Sequence, residues 1–232
     1  ELGGKSPNII FPDADLKFAV RGAMNAIFFN SGQVCTAGSR LFVQSSIYDE
    51  VMSGLTDYAS KMKLGMGIDP ATDMGPVVSQ EQLERVTGYI DTGKREGAVP
   101  TTGGARAGGE QFKGYFVQPT VFDKVQDDMT IAREEIFGPV VVALPFEDLE
   151  DVAARANKSM YGLAAGVWTS DVKKVHKMVA ALNAGVIWVN TYNQFDAAAP
   201  FGGFKQSGYG REMGHAALDA YTQTKTAWIN LR

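Results

Sequence analysis

The residue with the clearest chemical potential is Cys35, the single cysteine of the 232-residue chain. It lies in a run of small and polar residues at positions 30–39, between a predicted helix and a predicted strand. Such a loop exposes a thiol and lets backbone N–H groups approach the group that the thiol attacks. A structural cysteine more often lies within an apolar run. Local context therefore leaves two interpretations open, a nucleophilic thiol and an inert free cysteine.

Composition argues against several other kinds of chemistry. One cysteine cannot form an internal disulfide, and with only His176 and His215 beside it there is no closed set of zinc ligands. The net charge is −4 and the basic residues are scattered, so we expect no nucleic-acid partner. The longest apolar stretch, residues 140–144, is far shorter than the roughly 18 residues of a membrane span. We therefore expect neither a metal site nor a membrane partner.

Strand and helix patterns alternate along the chain, and the strands are apolar. This alternation predicts an α/β fold with a doubly wound, mostly parallel sheet and helices on both faces. The glycine-rich segments 105–109 and 199–210 are predicted loops. Helices are predicted at 16–27 after an Asp13 cap, at 48–63, at 80–93 behind a Ser79 to Gln82 capping box, at 148–157 and at 172–182. Strands are predicted at 6–11, 41–44, 115–122, 140–146, 163–169 and 185–190.

The sequence also predicts the nature of the two ends of the chain. Residues 222–231 are β-prone but isolated, and a lone terminal strand usually joins a sheet of another subunit or domain. We therefore predict a main domain at 1–208 and a C-terminal helix and oligomerisation strand at 209–232. The first residues have neither an initiating Met nor the plan of a signal peptide, which predicts an internal start within a longer protein.

Four segments resemble, in order, the signature segments of the aldehyde dehydrogenase superfamily. They are ELGGKSP at 1–7, GQVC at 32–35, EEIFGP at 134–139 and PFGGFKQSG at 200–208. The resemblance covers the whole chain and corresponds to the family's catalytic domain and C-terminal tail, about the second half of a subunit. It implies NAD- or NADP-dependent oxidation of a small-molecule aldehyde to a carboxylic acid, in a cytoplasmic homo-oligomer.

The resemblance implies that Cys35 attacks the aldehyde, that hydride leaves to the nicotinamide, and that a thioester remains. Glu1 matches the family's general base, which activates the water that hydrolyses the thioester. Because Glu1 and Cys35 are distant in sequence, only the fold can bring them together. The alternative for Glu1 is a solvated chain end.

Four further residues match cofactor-contacting positions of the family. Glu135 and Phe137 correspond to residues that bind and pack beside the nicotinamide ribose. By residue type alone, they could equally be a surface charge and a core aromatic. Leu2 matches a residue whose backbone carbonyl contacts the carboxamide of the cofactor. Gln82 matches a cofactor-contacting position on a helix.

The resemblance also implies a substrate tunnel lined by Phe29, Phe195 and Phe201, which suggests an apolar aldehyde. Phe29 could instead be a core residue of its helix. No Gly-x-Gly-x-x-Gly follows a strand in this chain. We therefore expect most of the dinucleotide contacts to lie outside it, and the chain alone to be inactive as a dehydrogenase.

Three rival interpretations remain open. The chain could be a non-catalytic assembly domain that docks through its tail, or a thiol esterase that needs no cofactor. The third interpretation is a CoA-acylating member of the family. Such members typically lack the general base, so Glu1 favours the hydrolytic branch.

Overall fold

Strands and helices alternate along most of the chain, as the sequence predicts. The computed structural model describes residues 1–109 and 112–232. The strands are β1 Pro7–Ile10, β2 Arg40–Gln44, β3 Val99–Thr102, β4 Thr120–Asp123, β5 Val140–Phe146, β6 Tyr161–Gly162, β7 Ala164–Trp168, β8 Val186–Val189 and β9 Phe204–Lys205. The helices are α1 Leu16–Phe28, α2 Tyr48–Lys61, α3 Gln80–Glu96, α4 Thr130–Arg133, α5 Leu149–Asn157, α6 Val172–Ala181 and α7 Leu218–Tyr221.

Seven of the strands form one sheet in the order β3-β4-β5-β2-β1-β7-β8. Every pair is parallel except β3 with β4. The predicted mostly parallel sheet is therefore confirmed. Strand β3, which contains Pro100 and has no buried residue, is not among the predicted strands. A strand of this kind is tolerated at the edge of a sheet, where one side of its backbone has no neighbouring strand to form hydrogen bonds with.

Both faces of the sheet are buried, each against its own hydrophobic core. In β2, Phe42 points into one hydrophobic core, whereas Leu41 and Val43 point into the other. Helices α3, α5 and α6 supply residues to the first core, and α1 and α2 supply residues to the second. Successive side chains of a strand point to opposite faces, so apolar runs are what a doubly covered sheet needs. The predicted doubly wound arrangement is confirmed.

Of the two predicted helix caps, one is confirmed and one is wrong. Ser79 caps α3 as predicted, because its hydroxyl accepts from the N–H of Gln82 at 3.2 Å. Asp13 does not cap α1. Asp15 does, accepting from the N–H of Phe18 at 3.0 Å. The Asp13 carboxylate instead accepts from Lys174 Nζ at 2.6 Å, which ties the start of α6 to the β1–α1 loop.

One strand prediction and one loop prediction differ from the structure. The strand predicted at 115–122 begins only at Thr120, as β4, since Pro119 has no N–H to donate to a ladder. The predicted loop 199–210 contains β9, which pairs with β6 in a separate two-stranded sheet.

Residues 222–232 form neither helix nor strand and are exposed along their whole length. Trp228 is 94% exposed and Leu231 is 93% exposed. Pairing of this tail with another chain or domain stays a prediction, as does the division at residue 208. Within the described residues, no helix combines the length and apolar character needed to cross a membrane.

Candidate functional site

Three loops meet at the amino edge of the sheet. Residues 1–6 lead into β1, residues 30–39 lead into β2, and residues 134–139 lead into β5. These strands are adjacent and parallel in the order β5-β2-β1, so their first residues share one edge. The topology therefore brings Glu1, Cys35 and Glu135 together, although no local pattern in the sequence joins them.

The six residues predicted to be catalytic or cofactor-binding line a single cleft of about 690 Å³. The structure therefore brings this predicted set together, while the role of each residue stays a prediction. The lining residues are Glu1, Leu2, Gly3, Asn30, Gln33, Val34, Cys35, Gln82, Arg85, Glu135 and Phe137.

Cys35 is half-buried in a tight turn, in which the N–H of Ala37 donates to the carbonyl of Val34 at 2.9 Å. Burial raises the pKa of its thiol to about 11, and the charge and hydrogen bond of the neighbouring Glu1 carboxylate act in the same direction. The backbone N–H groups of Cys35 and Thr36 act in the opposite direction because they stabilise the thiolate. Cys35 is thus protonated near neutral pH, with a carboxylate beside it that can accept its proton.

The Glu1 segment has one hydrogen bond to another part of the chain and one within itself. The N–H of Leu2 donates to the carbonyl of Ser207 at 3.0 Å, and Glu1 Oε1 accepts from the N–H of Gly3 at 3.0 Å. Glu1 is exposed, but the chain that carries it is fixed against the 200–208 segment. Its carboxylate is therefore presented to the thiol across the cleft.

Gly3 and Gly4 let this segment pass between the other two loops. Gly3 has φ +102°, and a Cβ there would lie 2.5 Å from Glu135 Oε2. A Cβ on Gly4 would lie 2.6 Å from the carbonyl oxygen of Cys35. Only glycine allows such close approach on both sides.

Glu135 is half-buried, and its Oε1 accepts from the N–H of Gly4 at 3.0 Å. Burial raises the pKa of this carboxyl group and the charge of Glu1 adds to the effect, while the Gly4 bond and the charges of Arg85 and Lys5 oppose it. A carboxyl group with one oxygen so engaged can still accept from a hydroxyl of a ligand through the other.

Helix α3 holds the Glu135 to Phe137 segment. Gln82 Nε2 donates to the carbonyl of Phe137 at 2.6 Å and to that of Ile136 at 3.3 Å. Phe137 has φ +58°, a strained conformation for an aromatic residue that costs about 1–3 kcal/mol. Arg85, one turn further along α3, donates to the carbonyls of Ile136 and Glu135. Arg85 is not among the predicted site residues, and its only signal in the sequence is its place on the same helix face as Gln82.

The three predicted substrate aromatics lie outside this cleft. Phe195 and Phe201 pack edge to face with ring centroids 5.5 Å apart, and Phe195 also packs against Trp188 at 5.5 Å. Phe201 lines a second cleft of about 780 Å³, which shares Glu1 with the first. Phe29 is separate from this group and 59% exposed, so it is not a core residue of its helix.

Gly32 places the Cys35 loop against the Glu135 loop, and its replacement by alanine should destabilise the fold. Gly32 has φ +71°, and a Cβ would lie 2.0 Å from the carbonyl oxygen of Gly138. We expect Gly32→Ala to lower the free energy of unfolding by roughly 2–5 kcal/mol, measured by urea denaturation.

The matched control for Gly32→Ala is Gly88→Ala. Gly88 is an exposed position within α3, where an added Cβ has no neighbour within 4 Å. This change should raise the free energy of unfolding by roughly 0.5–1 kcal/mol. Equal stabilities for the two variants would contradict the close packing of the two loops.

A second expectation concerns the reactivity of Cys35. Because its thiol has a pKa of about 11, iodoacetamide should label it slowly near pH 8 and faster as the pH rises. Glu1→Ala removes a negative charge and a hydrogen bond that both raise this pKa. The thiolate fraction and the labelling rate near pH 9 should therefore increase several-fold, as followed by mass spectrometry.

Glu1→Asp, which keeps the charge, is the control for the labelling experiment and should stay closer to the wild type. A Glu1→Ala rate no higher than that of the wild type would show that Glu1 does not influence the thiol.

Comparison with known proteins gives a consistent result. Residues 1–227 match the model of the aldehyde dehydrogenase family. The chain is 57% identical over 232 residues to the putative aldehyde dehydrogenase DhaS of Bacillus subtilis and 52% identical over 231 residues to the mitochondrial aldehyde dehydrogenase of Homo sapiens. A solved structure of the aldehyde dehydrogenase of Bacillus cereus in complex with NAD+ is 56% identical, with a TM-score of 0.95 over 99% of the chain.

The matches cover only part of these relatives. All of this chain aligns with 46% of the Bacillus subtilis protein and 44% of the human one, and 99% of it with 46% of the Bacillus cereus chain. The chain thus spans about half the length of the proteins that it matches.

Proposed function

The chain belongs to the aldehyde dehydrogenase family, and from that membership we propose that it carries the nucleophile and the general base of an NAD- or NADP-dependent oxidation of an aldehyde to a carboxylic acid. The observation that carries the proposal is the meeting of Cys35 and Glu1 at one cleft. Glu135 and Phe137 line the same cleft.

The first half of the reaction uses Cys35. Its Sγ bonds to the aldehyde carbon as the thiolate, after the thiol proton has passed to solvent, directly or through the Glu1 carboxylate. The N–H groups of Cys35 and Thr36, which already favour the thiolate, stabilise the negative charge that develops on the aldehyde oxygen. The product is a thiohemiacetal on Cys35. Loss of hydride from its carbon leaves a thioester.

The second half of the reaction uses Glu1. Its carboxylate removes a proton from a water molecule, which attacks the thioester carbon. The carbon–sulfur bond breaks, the carboxylic acid leaves, and Cys35 returns to its starting state. Glu1 suits this task because it is both exposed and held in place, so water reaches it without displacing the chain.

The cleft has the donors and acceptors that a nicotinamide nucleotide needs. When bound, NAD+ or NADP+ supplies the hydride acceptor. Glu135 would accept from a ribose hydroxyl, Phe137 would pack beside the ribose, and the Leu2 carbonyl would accept from the carboxamide. The Gln82 amide already donates to two backbone carbonyls, so its part in cofactor binding is to hold Phe137.

The aromatic group at the second cleft supports an apolar aldehyde as substrate. Phe201 lines the second cleft with Glu1 and packs edge to face on Phe195, and Phe29 offers an exposed ring at the end of α1. A long-chain or aromatic aldehyde would bury its carbon chain on such surfaces. We expect kcat/KM to rise with the apolar area of the aldehyde.

Association through the tail is part of the proposal. Residues 222–232 expose Trp228, Ile229 and Leu231, and large exposed apolar side chains are common where another chain docks. We propose a homo-oligomer joined by this segment. We also propose that this chain alone turns over aldehyde poorly, because it spans only half of its relatives.

The decisive experiment supplies the protein that carries this chain with an apolar aldehyde and NAD+ or NADP+, in the presence and absence of CoA. Reduced cofactor and free carboxylic acid should form in equal amounts without CoA. Formation of acyl-CoA would indicate the acylating branch instead. Cofactor-independent cleavage of nitrophenyl acetate with no oxidation would favour the thiol esterase, and no reaction of either kind would favour an assembly domain.

A further inference from the structure

A buried tyrosine makes a direct hydrogen bond to the loop of the nucleophile. Tyr192 is 4% exposed, and its hydroxyl donates to the backbone carbonyl of Thr36 at 2.7 Å. The two residues are 156 positions apart in the sequence. Thr36 directly follows Cys35, and its N–H is one of the two that stabilise the Cys35 thiolate.

The Thr36 side chain is fixed as well. Thr36 is 1% exposed, and its hydroxyl donates to Oδ1 of Asn193 at 3.0 Å. Neighbouring residues of one segment therefore restrain the carbonyl and the side chain of Thr36. With both groups restrained, the residue has little freedom to turn its N–H away from the sulfur.

Local backbone geometry explains how Tyr192 reaches this position. Asn190 and Asn193 have φ +52° and +56°, a left-handed conformation that asparagine tolerates better than most residues. Asn190 is anchored to the end of β7, where its Nδ2 donates to the carbonyl of Thr169 at 2.8 Å. The Tyr192 ring packs on Trp188, with centroids 4.8 Å apart, in the core between the sheet and α1.

We propose that Tyr192 is a positioning residue for the nucleophile, which keeps the Thr36 N–H directed at Cys35 Sγ and at the oxyanion that forms beside it. The proposal rests on the function proposed above for Cys35. In this role Tyr192 acts through the backbone of Thr36.

The test is the variant Tyr192→Phe, which keeps the ring and its packing but removes the hydroxyl. Cys35 is the single cysteine, so iodoacetamide labelling of the chain reports on it alone. With the Thr36 N–H no longer fixed, the thiolate loses part of its stabilisation. We expect labelling near pH 9 to slow by about fivefold, as expected for weakening one hydrogen bond, and the whole rate profile to move to higher pH.

Tyr48→Phe is the matched control. The hydroxyl of half-buried Tyr48 donates to Asp123 Oδ1 at 2.7 Å, so this variant also loses a tyrosine hydrogen bond, but between α2 and β4. It should lower thermal stability about as much as Tyr192→Phe while leaving the labelling profile unchanged. A Tyr192→Phe profile equal to that of the wild type, or one shifted to lower pH, would overturn the proposal.

If Tyr192→Phe does not fold, Asn193→Gly decides the question, because it removes the acceptor of the Thr36 hydroxyl and still allows the left-handed φ of this position. Slower labelling supports the proposal, and unchanged or faster labelling overturns it. The measurement uses neither aldehyde nor cofactor. A shifted profile in a protein without dehydrogenase activity would therefore refute the proposed function but leave the positioning role of Tyr192 intact.

Discussion

Replacing Cys35 by serine should lower aldehyde oxidation by at least about a thousandfold in the protein that carries this chain. A serine hydroxyl is a far weaker nucleophile than a thiolate, and the chain has no second cysteine to take over. The measurement is the steady-state rate of reduced-cofactor formation at saturating aldehyde. Cys35→Ala should be as inactive as Cys35→Ser.

The thermal stability of Cys35→Ser shows whether its loss of activity comes from the missing thiol or from unfolding. Cys35 is only half-buried and its replacement by serine removes little volume, so thermal unfolding should change by no more than a few degrees. Retention of more than a tenth of the wild-type rate by folded Cys35→Ser protein would rule out a covalent intermediate on this residue.

Replacing Glu1 by alanine should affect the two halves of the reaction in opposite ways. Removal of the carboxylate lowers the pKa of Cys35 and should make the thiol more reactive when labelled. Hydrolysis of the thioester loses its base, so steady-state turnover should fall by about 100- to 10,000-fold. Rapid mixing should show a burst of about one reduced cofactor per active site, followed by a stall.

Glu1→Asp is again the control, because its shorter side chain keeps the charge and should restore part of the turnover. A trapped acyl-enzyme, detected by mass spectrometry as an adduct on Cys35, is the expected product of the Glu1→Ala variant. Turnover at the wild-type rate without such an adduct would show that another group activates the water.

The alternation of apolar strands and amphipathic helices was sufficient to predict the doubly wound sheet, because burial of both faces leaves a strong local signal. The Ser79 cap was likewise correct, whereas the Gln82 side chain, instead of completing the capping box, donates to the carbonyls of Ile136 and Phe137. The Asp13 cap predicted for α1 was wrong because Asp15 also lies just before the helix and can accept from a backbone N–H group. Strand β3 was missed because an exposed edge strand needs no apolar pattern.

The site was predictable only in part, for a different reason. The signature segments drew attention to Glu1, Cys35 and Glu135, and the structure brings them to one edge of the sheet. The contacts that hold these residues are not local. Arg85 supports the Glu135 backbone from 50 positions away, and Tyr192 reaches Thr36 from 156 positions away. Neither residue type nor spacing indicates such partners until the sheet order is known.

The position of β1 between β2 and β7 also has consequences for how the chain folds. β1 is made well before its second neighbour β7, and the bond between Asn8 Oδ1 and Trp168 Nε1 closes a separation of 160 residues. Contacts between such distant parts make folding slow, because a long loop must be ordered before the pairing stabilises it. On the ribosome, Cys35 is therefore made well before the strands that enclose its loop. A nascent chain carries its reactive thiol unprotected for that interval, and is then most vulnerable to oxidation or to capture by another chain.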